Sequence, residues 1–162
     1  MASASYQTRR DEIETYFDRT AADAWAALTS DAPVSRIRRT VRHGRDAMRQ
    51  TLMSWLPEDM TGSTLIDAGC GTGTLAIEAA QRGAEVVAVD LSPTLVNLAR
   101  ERLRDLNQTL DVTFLVGDMR DMDLGSFDYA VAMDSLIHYD VVDGVATLEA
   151  MAAQIHRKMV FT

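Results

Sequence analysis

The chain has 162 residues, of which 47% are hydrophobic and 25% charged, and its formal net charge is −8. This composition is typical of one folded domain with an extension, and the acidic excess disfavours a general nucleic-acid-binding protein. The sequence has no apolar run long enough to span a membrane and no secretory signal at its start. Its one cysteine, Cys70, excludes an internal disulfide and a multi-cysteine metal site, and these features together suit a cytoplasmic protein.

Residues 1–60 predict an arm of helices. A first helix is indicated by apolar residues that recur every three or four positions along one face: Ile13, Phe17, Ala21, Ala24, Trp25 and Leu28. The run from Ser30 to Pro33 predicts a break, with Pro33 placed to begin a second helix. The second helix has an apolar face, formed by Ile37, Val41, Met48, Leu52 and either Trp55 or Leu56. Pro57 and Gly62 then mark a boundary.

The second predicted helix also carries the positive charge of this acidic chain. Its arginines, with His43 among them, are Arg36, Arg38, Arg39, Arg42, Arg45 and Arg49. Four of these form a basic face: Arg38, Arg42, Arg45 and Arg49. Such a face is either a solvated helix surface or a contact for the acidic groups of a substrate, a protein or an anionic membrane surface.

After Gly62 the sequence alternates between short apolar strands and amphipathic helices. Strands are predicted at 64–66, 85–89, 112–115, 127–133 and 158–161, and helices at about 74–81, 92–106 and 142–154. Ser92 and Pro93 are typical of a helix start, and Gly83 is typical of a helix end. The alternation predicts an α/β fold of the Rossmann type over residues 61–162, with a parallel sheet covered by helices on both faces.

The turn Asp67–Gly73, with the pattern Gly-x-Gly-x-Gly, follows the first predicted strand. Glycines let the backbone turn tightly and let a ligand approach, and the next helix directs free N–H groups at that ligand. Asp90 follows Gly73 by 17 residues and is placed to bind both hydroxyls of a ribose. A dinucleotide is disfavoured because Asp67 would repel a pyrophosphate and a threonine replaces the third fingerprint glycine. A ligand with an ammonium and a sulfonium meets no such repulsion, and a turn without a ligand is the other alternative.

The run Leu65–Gly73 resembles the first motif of the class I methyltransferases, which implies S-adenosylmethionine as the cofactor. The resemblance implies that Asp90 holds the ribose and Asp118 accepts a hydrogen bond from the adenine amine, while the glycine turn lies along the methionine part. The implied cofactor-binding residues are Asp67, Gly69, Cys70, Gly71, Gly73, Asp90, Leu91, Asp118, Met119, Met133 and Asp134. Asp118 and Asp134 could instead be turn or N-cap residues, and we expect Cys70 to be a small buried side chain rather than a nucleophile.

Three further segments, 14–20 with Trp25, 31–38 and 130–139, resemble the magnesium protoporphyrin IX O-methyltransferases, most of all the purple-bacterial ones. The resemblance implies methyl transfer to a propionate carboxylate of magnesium protoporphyrin IX in bacteriochlorophyll synthesis. That carboxylate is ionised at neutral pH, so no general base is needed. The resemblance also implies His138 and Tyr16 as the residues that position the carboxylate or the macrocycle. Their alternatives are a backbone-bonded imidazole and a packing tyrosine.

The same resemblance extends to partners and to the sheet. It implies magnesium protoporphyrin IX as substrate, an arm that covers the pocket, and two more interpretations of the arginines: docking to magnesium chelatase, or peripheral contact with the photosynthetic membrane. The family fold has seven strands, and strands six and seven are absent from this sequence. We therefore expect strand five to be an exposed apolar edge, and the natural chain either to continue beyond Thr162 or to have lost a tail. The alternative functions are methyl transfer to a quinone or polyketide acceptor, and non-catalytic cofactor binding.

Overall fold

The computed structural model describes residues 4–29, 33, 35–120 and 124–162. The helices are α1 (Ala4–Thr15), α2 (Ala22–Leu28), α3 (Arg36–Ser54), α4 (Thr74–Gln81), α5 (Pro93–Asp105) and α6 (Val141–Ala152), with a π-helical turn at Tyr16–Thr20 and a 3₁₀ turn at Leu136–His138. The strands are β1 (Thr64–Ala68), β2 (Glu85–Asp90), β3 (Val112–Val116), β4 (Phe127–Ala132) and β5 (Ile155–Phe161).

The five strands form one parallel sheet in the order β3-β2-β1-β4-β5, which confirms the predicted Rossmann-like fold. The central strands β1 and β4 are buried along most of their length because helices cover both faces. On one face α4 packs through its small side chains, Ala76 and Ala79, together with Leu52 and Met53 at the end of α3. This rigid sheet fixes where each strand ends.

The predicted helix boundaries in the second half of the chain are confirmed by their caps. The Ser92 hydroxyl accepts a hydrogen bond from the backbone N–H of Leu95, 3.2 Å away, and Pro93 occupies the first turn of α5. Gly83 follows the end of α4 with a φ of +94°, a left-handed conformation that glycine adopts without strain. Capping residues therefore marked the helix ends correctly.

Strand β5 begins at Ile155, three residues before the predicted start. Its exposed first half is polar, with His156, Arg157 and Lys158 in sequence, and Phe161 is the exposed large apolar residue. Arg157 pairs with Asp128 at 3.1 Å. Strand β5 is an outer strand of the sheet, as expected, but its expected apolar character holds only at Phe161, because polar and charged side chains precede it.

In the arm, the helix that was predicted from the apolar periodicity differs from the structure. One helix is predicted through Ile13 and Trp25, but the structure breaks it at the π-helical turn and at Ala21. Within that turn the carboxylate of Asp18 accepts hydrogen bonds from the Thr94 backbone at 3.0 Å and the Ser92 hydroxyl at 3.1 Å. Hydrogen bonds from the Thr94 side chain and backbone, and then from Ser92, lower the pKa of Asp18. The chain is therefore held onto the start of α5 by a contact that local sequence does not reveal. The side chain of Leu28 lies outside the described residues.

Helix α3 begins at Arg36, with the Ser35 hydroxyl as its cap, rather than at Pro33. Residues 30–32 of the predicted break, and position 34, lie outside the described residues. The predicted apolar face holds only near the end of α3, where Leu52 is buried, whereas Ile37 near its start is 79% exposed. In the described part of the chain, no helix combines the length and apolar character needed to cross a membrane.

Replacement of Gly83 and of Gly44 by alanine should change the free energy of unfolding in opposite directions. A Cβ at Gly83 would lie 2.6 Å from Thr61 Oγ1, at a positive φ, so Gly83→Ala should lower the free energy of unfolding by about 1–3 kcal/mol. Gly44, inside α3, has no atom within 4 Å of its Cβ position, so Gly44→Ala should raise it by about 0.5–1 kcal/mol. Urea unfolding measures both, and shifts of the same sign would contradict this packing.

Candidate functional site

A cavity of about 310 Å³ lies between the arm and the edge where the carboxyl ends of β1, β2 and β4 meet. Its volume suits a small-molecule site. The sequence-predicted residues that line it are Asp67, Gly69, Cys70, Gly71, Asp90, Leu91, Met119, Met133, Asp134 and His138. Gly73, Asp118 and Tyr16 are not among its lining residues.

The turn after β1 is fixed by hydrogen bonds to the end of β2. The backbone N–H groups of Gly69 and Cys70 donate to the carbonyl of Val89 at 2.8 and 3.0 Å. The N–H of Gly71 donates to the Asp90 carboxylate at 2.8 Å. These contacts hold Gly69 and Gly71 in left-handed conformations, with φ of +82° and +53°. The turn is thus preorganised around the cavity.

Gly73, the third glycine of the pattern, serves packing rather than ligand approach. A Cβ there would lie 2.7 Å from the Phe114 ring and 2.9 Å from the Ala99 side chain. Gly73 also begins α4 with a φ of +76°. Its role is close contact between this turn and the neighbouring elements β3 and α5.

Two carboxylates, those of Asp67 and Asp90, line the cavity floor. Asp67 is 2% exposed, and its Oδ2 has no hydrogen-bond partner among the described residues. Burial, together with the charge of Asp90, raises the pKa of Asp67 to about 7. Burial also raises the pKa of Asp90, although backbone N–H groups of Ser92, Gly71 and Leu91 oppose the shift. The floor therefore holds an unsatisfied buried carboxylate oxygen, whose charge favours a cationic ligand in the cavity.

Cys70, between these carboxylates in the chain, is buried. Burial, with the charges of Asp67 and Asp90, raises the pKa of its thiol well above the usual range. A thiol that stays protonated is a poor nucleophile, which agrees with the small buried side chain that the sequence led us to expect.

Asp118 is buried behind the cavity and bound by the arm. The Tyr6 hydroxyl donates to its Oδ1 and Oδ2 at 2.8 and 3.0 Å, and Arg10 Nε lies 3.2 Å from Oδ2. Tyr6 is fully buried and stacks on Tyr139, with ring centroids 5.1 Å apart and an interplanar angle of 10°. Sequence reasoning missed Tyr6, whose signal was an aromatic residue in an otherwise polar helix.

His138 lines the cavity from the 3₁₀ turn after β4. Its ring meets Phe17 edge-on, with centroids 5.0 Å apart, and its backbone carbonyl accepts a hydrogen bond from Arg9 at 2.8 Å. Burial, together with the charge of Arg9, lowers the pKa of His138, so the imidazole is neutral at pH 7. Tyr16 is 53% exposed, because the π-helical turn directs its neighbour Phe17 to the cavity instead.

The arginine face of α3 is not simply a solvated surface, because Arg42, Arg45 and Arg49 line the cavity. Arg49 Nε lies 3.1 Å from the Glu78 carboxylate, and Arg45 pairs with Asp134. The interpretation as a solvated surface holds for the exposed arginines at the start of the helix, Arg36, Arg38 and Arg39.

Comparison with known proteins identifies the relatives of this arrangement. The family described as a methyltransferase domain matches residues 65–158. The magnesium-protoporphyrin O-methyltransferase of Rhodobacter capsulatus is 51% identical over 160 residues, 98% of this chain and 71% of the relative. The protein of the same name from Synechocystis sp. is 29% identical, over 93% of this chain and 66% of the relative. A ubiquinone biosynthesis O-methyltransferase of Xanthomonas oryzae is 38% identical over 58% of this chain and 39% of the relative.

Solved structures agree. The crystal structure of magnesium protoporphyrin IX methyltransferase from Synechocystis PCC 6803 with bound SAH matches with a TM-score of 0.89 at 28% identity, over 94% of this chain and 71% of that one. The same protein with bound SAM matches with a TM-score of 0.83 at 26% identity, over 94% and 74%. The chain thus spans about two thirds to three quarters of the length of these magnesium-protoporphyrin relatives.

The buried Asp67 should make stability depend on pH. Its pKa is about 7 in the folded protein, whereas the ordinary value that applies to an unfolded chain is 3.8, so the folded state binds the extra proton between these values. Stability is therefore lost as pH rises through that window, and the loss is complete above about pH 7. Asp67→Asn removes this titration.

We expect the stability of Asp67→Asn relative to the parent protein to grow between pH 5 and pH 8, by on the order of 1–4 kcal/mol. Urea unfolding at both pH values measures the change. Asp59→Asn is the control, because a hydrogen bond from Thr61 lowers the pKa of the exposed Asp59 and keeps it ionised over this range. A pH-independent difference for Asp67→Asn would show that Asp67 is already ionised in the folded protein.

Proposed function

Since this chain belongs to the magnesium-protoporphyrin O-methyltransferase family of class I methyltransferases, we propose that it methylates a propionate carboxylate of magnesium protoporphyrin IX with S-adenosylmethionine. The product is the monomethyl ester of (bacterio)chlorophyll biosynthesis. The observation that carries this proposal is the extent of the relationship: it runs through the arm that covers the cavity as well as through the sheet. Acceptor specificity resides in such covering segments, whereas the sheet is shared with methyltransferases of other substrates.

The cofactor fits the cavity floor by charge and space. The unpartnered Asp67 oxygen suits a ligand that carries a positive sulfonium and an ammonium group. At Gly71 no atom lies within 4 Å of the Cβ position, which leaves room along the turn. We place the ribose at Asp90, the adenine between Leu91 and Met119, and the methionine part beside Gly69, Met133 and Asp134.

The cofactor supplies an electrophilic methyl group, and the chain's own residues prepare the acceptor. A propionate is ionised at neutral pH, so the neutral His138 need not remove a proton. We assign His138 to hold the carboxylate, with Phe17 against its ring. Ile13 and Trp25 in the cover are apolar and reduce the water around the carboxylate oxygen, which raises its nucleophilicity.

These placements give the two parts of the chain different roles. We infer that residues 1–60 act as a cover and residues 61–162 as the cofactor-binding domain. The arginines that stay exposed on α3, Arg36, Arg38 and Arg39, are the ones available for docking to magnesium chelatase or for peripheral contact with an anionic membrane.

The direct test is incubation of the purified chain with magnesium protoporphyrin IX and methyl-labelled S-adenosylmethionine. We expect one labelled methyl group per porphyrin, in an ester that alkali hydrolyses, and no label in the dimethyl ester, which has no free carboxylate. The relationship to ubiquinone biosynthesis O-methyltransferases favours a hydroxylated quinone precursor as the second candidate acceptor. Label in that acceptor alone would overturn the porphyrin proposal, and label in neither would indicate a binding protein without activity.

Two substitutions should separate cofactor binding from acceptor positioning. Asp90→Ala removes the carboxylate placed at the ribose and should weaken S-adenosylhomocysteine binding, measured by calorimetry, about 10- to 100-fold. His138→Ala should lower kcat by a similar factor while cofactor affinity changes less than about threefold. His156→Ala, at the exposed start of β5, is the control. Wild-type turnover in His138→Ala would remove His138 from the reaction.

A further inference from the structure

The first part of helix α3 departs from the usual arrangement, in which apolar side chains face the protein interior and charged side chains face solvent. Near its start, Ile37 and Val41 are 79% and 46% exposed. The positively charged Arg42, Arg45 and Arg49 face the cavity instead. Transfer of a guanidinium out of bulk water costs free energy unless partners satisfy it. The inward guanidiniums therefore need partners, either from the protein or from a ligand in the cavity.

Arg45 is the most informative of the three. Its side chain is 22% exposed, and its guanidinium lies over the Trp25 ring, 4.0 Å from the centroid. One of its nitrogens, Nη1, pairs with the Asp134 carboxylate. Burial lowers the pKa of Arg45, and the charge of Asp134 opposes that shift. The side chain is therefore held in one orientation on a flat aromatic surface.

The other nitrogens of the Arg45 guanidinium have no protein partner among the residues that the structure describes. Within them, its Nε and Nη2 make no hydrogen bond, although they are not sealed away from solvent. A guanidinium presents five N–H donors in a planar fork that matches two carboxylate oxygens. By contrast, Arg49 is engaged through two nitrogens, with Glu78 at 3.1 Å and Asp46 at 2.8 Å.

The charges of the cavity are divided between its floor and its cover. The floor contributes Asp67 and Asp90, and α3 contributes three guanidiniums and the carboxylate of Asp46, which pairs with Arg49. A ligand with separated positive and negative groups would match this division, with its anionic end toward α3. Both proposed reactants carry carboxylates: the cofactor has one on its amino-acid part, and the porphyrin has one besides the propionate that reacts.

We propose that the free edge of the Arg45 guanidinium binds a ligand carboxylate, with Arg42 and Arg49 adding positive charge beside it. This proposal rests on the proposed function and names a subsite within that cavity. The carboxylate comes from the amino-acid part of the cofactor or from the unreacted propionate of the porphyrin. In either case Arg45 positions the ligand by a planar two-point contact, which lysine cannot reproduce.

The test compares each carboxylate ligand with a version that lacks the carboxylate. For the cofactor, the pair is S-adenosylmethionine and its decarboxylated analogue, with dissociation constants from calorimetry. For the porphyrin, the pair is the monomethyl ester, which keeps the unreacted propionate, and the dimethyl ester, which lacks it, with binding followed by tryptophan fluorescence in the presence of S-adenosylhomocysteine. Arg45→Gln should weaken one carboxylate ligand about 10- to 100-fold and its partner compound less than about threefold. The pair that responds identifies the source.

Three further variants separate this role from a structural one. Arg45→Lys keeps the charge but loses the fork, and should recover only part of the carboxylate preference. Arg39→Gln removes an exposed arginine of the same helix and should change neither pair. Asp134→Asn breaks the Arg45 contact from the other side; it should leave the carboxylate preference in place, since the guanidinium edge is retained.

Two results would overturn the subsite. One is an equal loss for both members of each pair in Arg45→Gln. The other is loss of the carboxylate preference in Asp134→Asn to the same degree, which would make Arg45 only the partner of Asp134. Failure of the proposed function is distinguishable, because it would appear as absence of porphyrin binding and methylation in the unsubstituted protein.

Discussion

Parallel pairing of β1 with β2 on one side and β4 on the other is the constraint on which the site depends. The register places Ala68 opposite Val89, so the next residues of the chain reach the Val89 carbonyl and the Asp90 carboxylate as soon as β1 ends. On the other side Asp67 lies opposite Val131, which brings the segment after β4 to the same edge. A shift of one residue in β1 would turn its side chains to the opposite face and remove the Asp67 carboxylate from the floor.

Because that constraint is local and periodic, the sequence predicted the floor of the cavity well. Strand identity and the caps at Ser92 and Gly83 follow from patterns within a few residues of one another. The packing role of Gly73 could not be predicted from the sequence. A glycine that makes room for a ligand and a glycine that makes room for the Phe114 ring look the same in a sequence. Only the packing of β3 and α5 distinguishes them.

The cover could not be predicted from the same kind of pattern. Its shape depends on contacts between residues far apart in the chain, such as Tyr6 with Asp118, 112 positions apart, and Asp18 with Ser92, 74 positions apart. Helical periodicity also gave the wrong buried face for the first part of α3, because it assumes that charge faces solvent. At a ligand site that assumption fails: Arg45 faces inward and Ile37 outward.

The arginines of α3 that face the cavity, and the carboxylates opposite them, connect the packing of the arm on the sheet with ligand binding. Among the described residues, Asp67 holds an unpartnered oxygen on the floor, and Arg45 holds unpartnered N–H groups on the cover. The Asp67 oxygen is costly to leave unpaired, since burial removes its hydration without replacing it, whereas the Arg45 N–H groups keep contact with solvent. A ligand with a positive group near Asp67 and a carboxylate near Arg45 would match both, and its binding would stabilise the packing of the arm on the sheet. The placement of these two charges therefore favours the zwitterionic cofactor and the acidic acceptor that we propose.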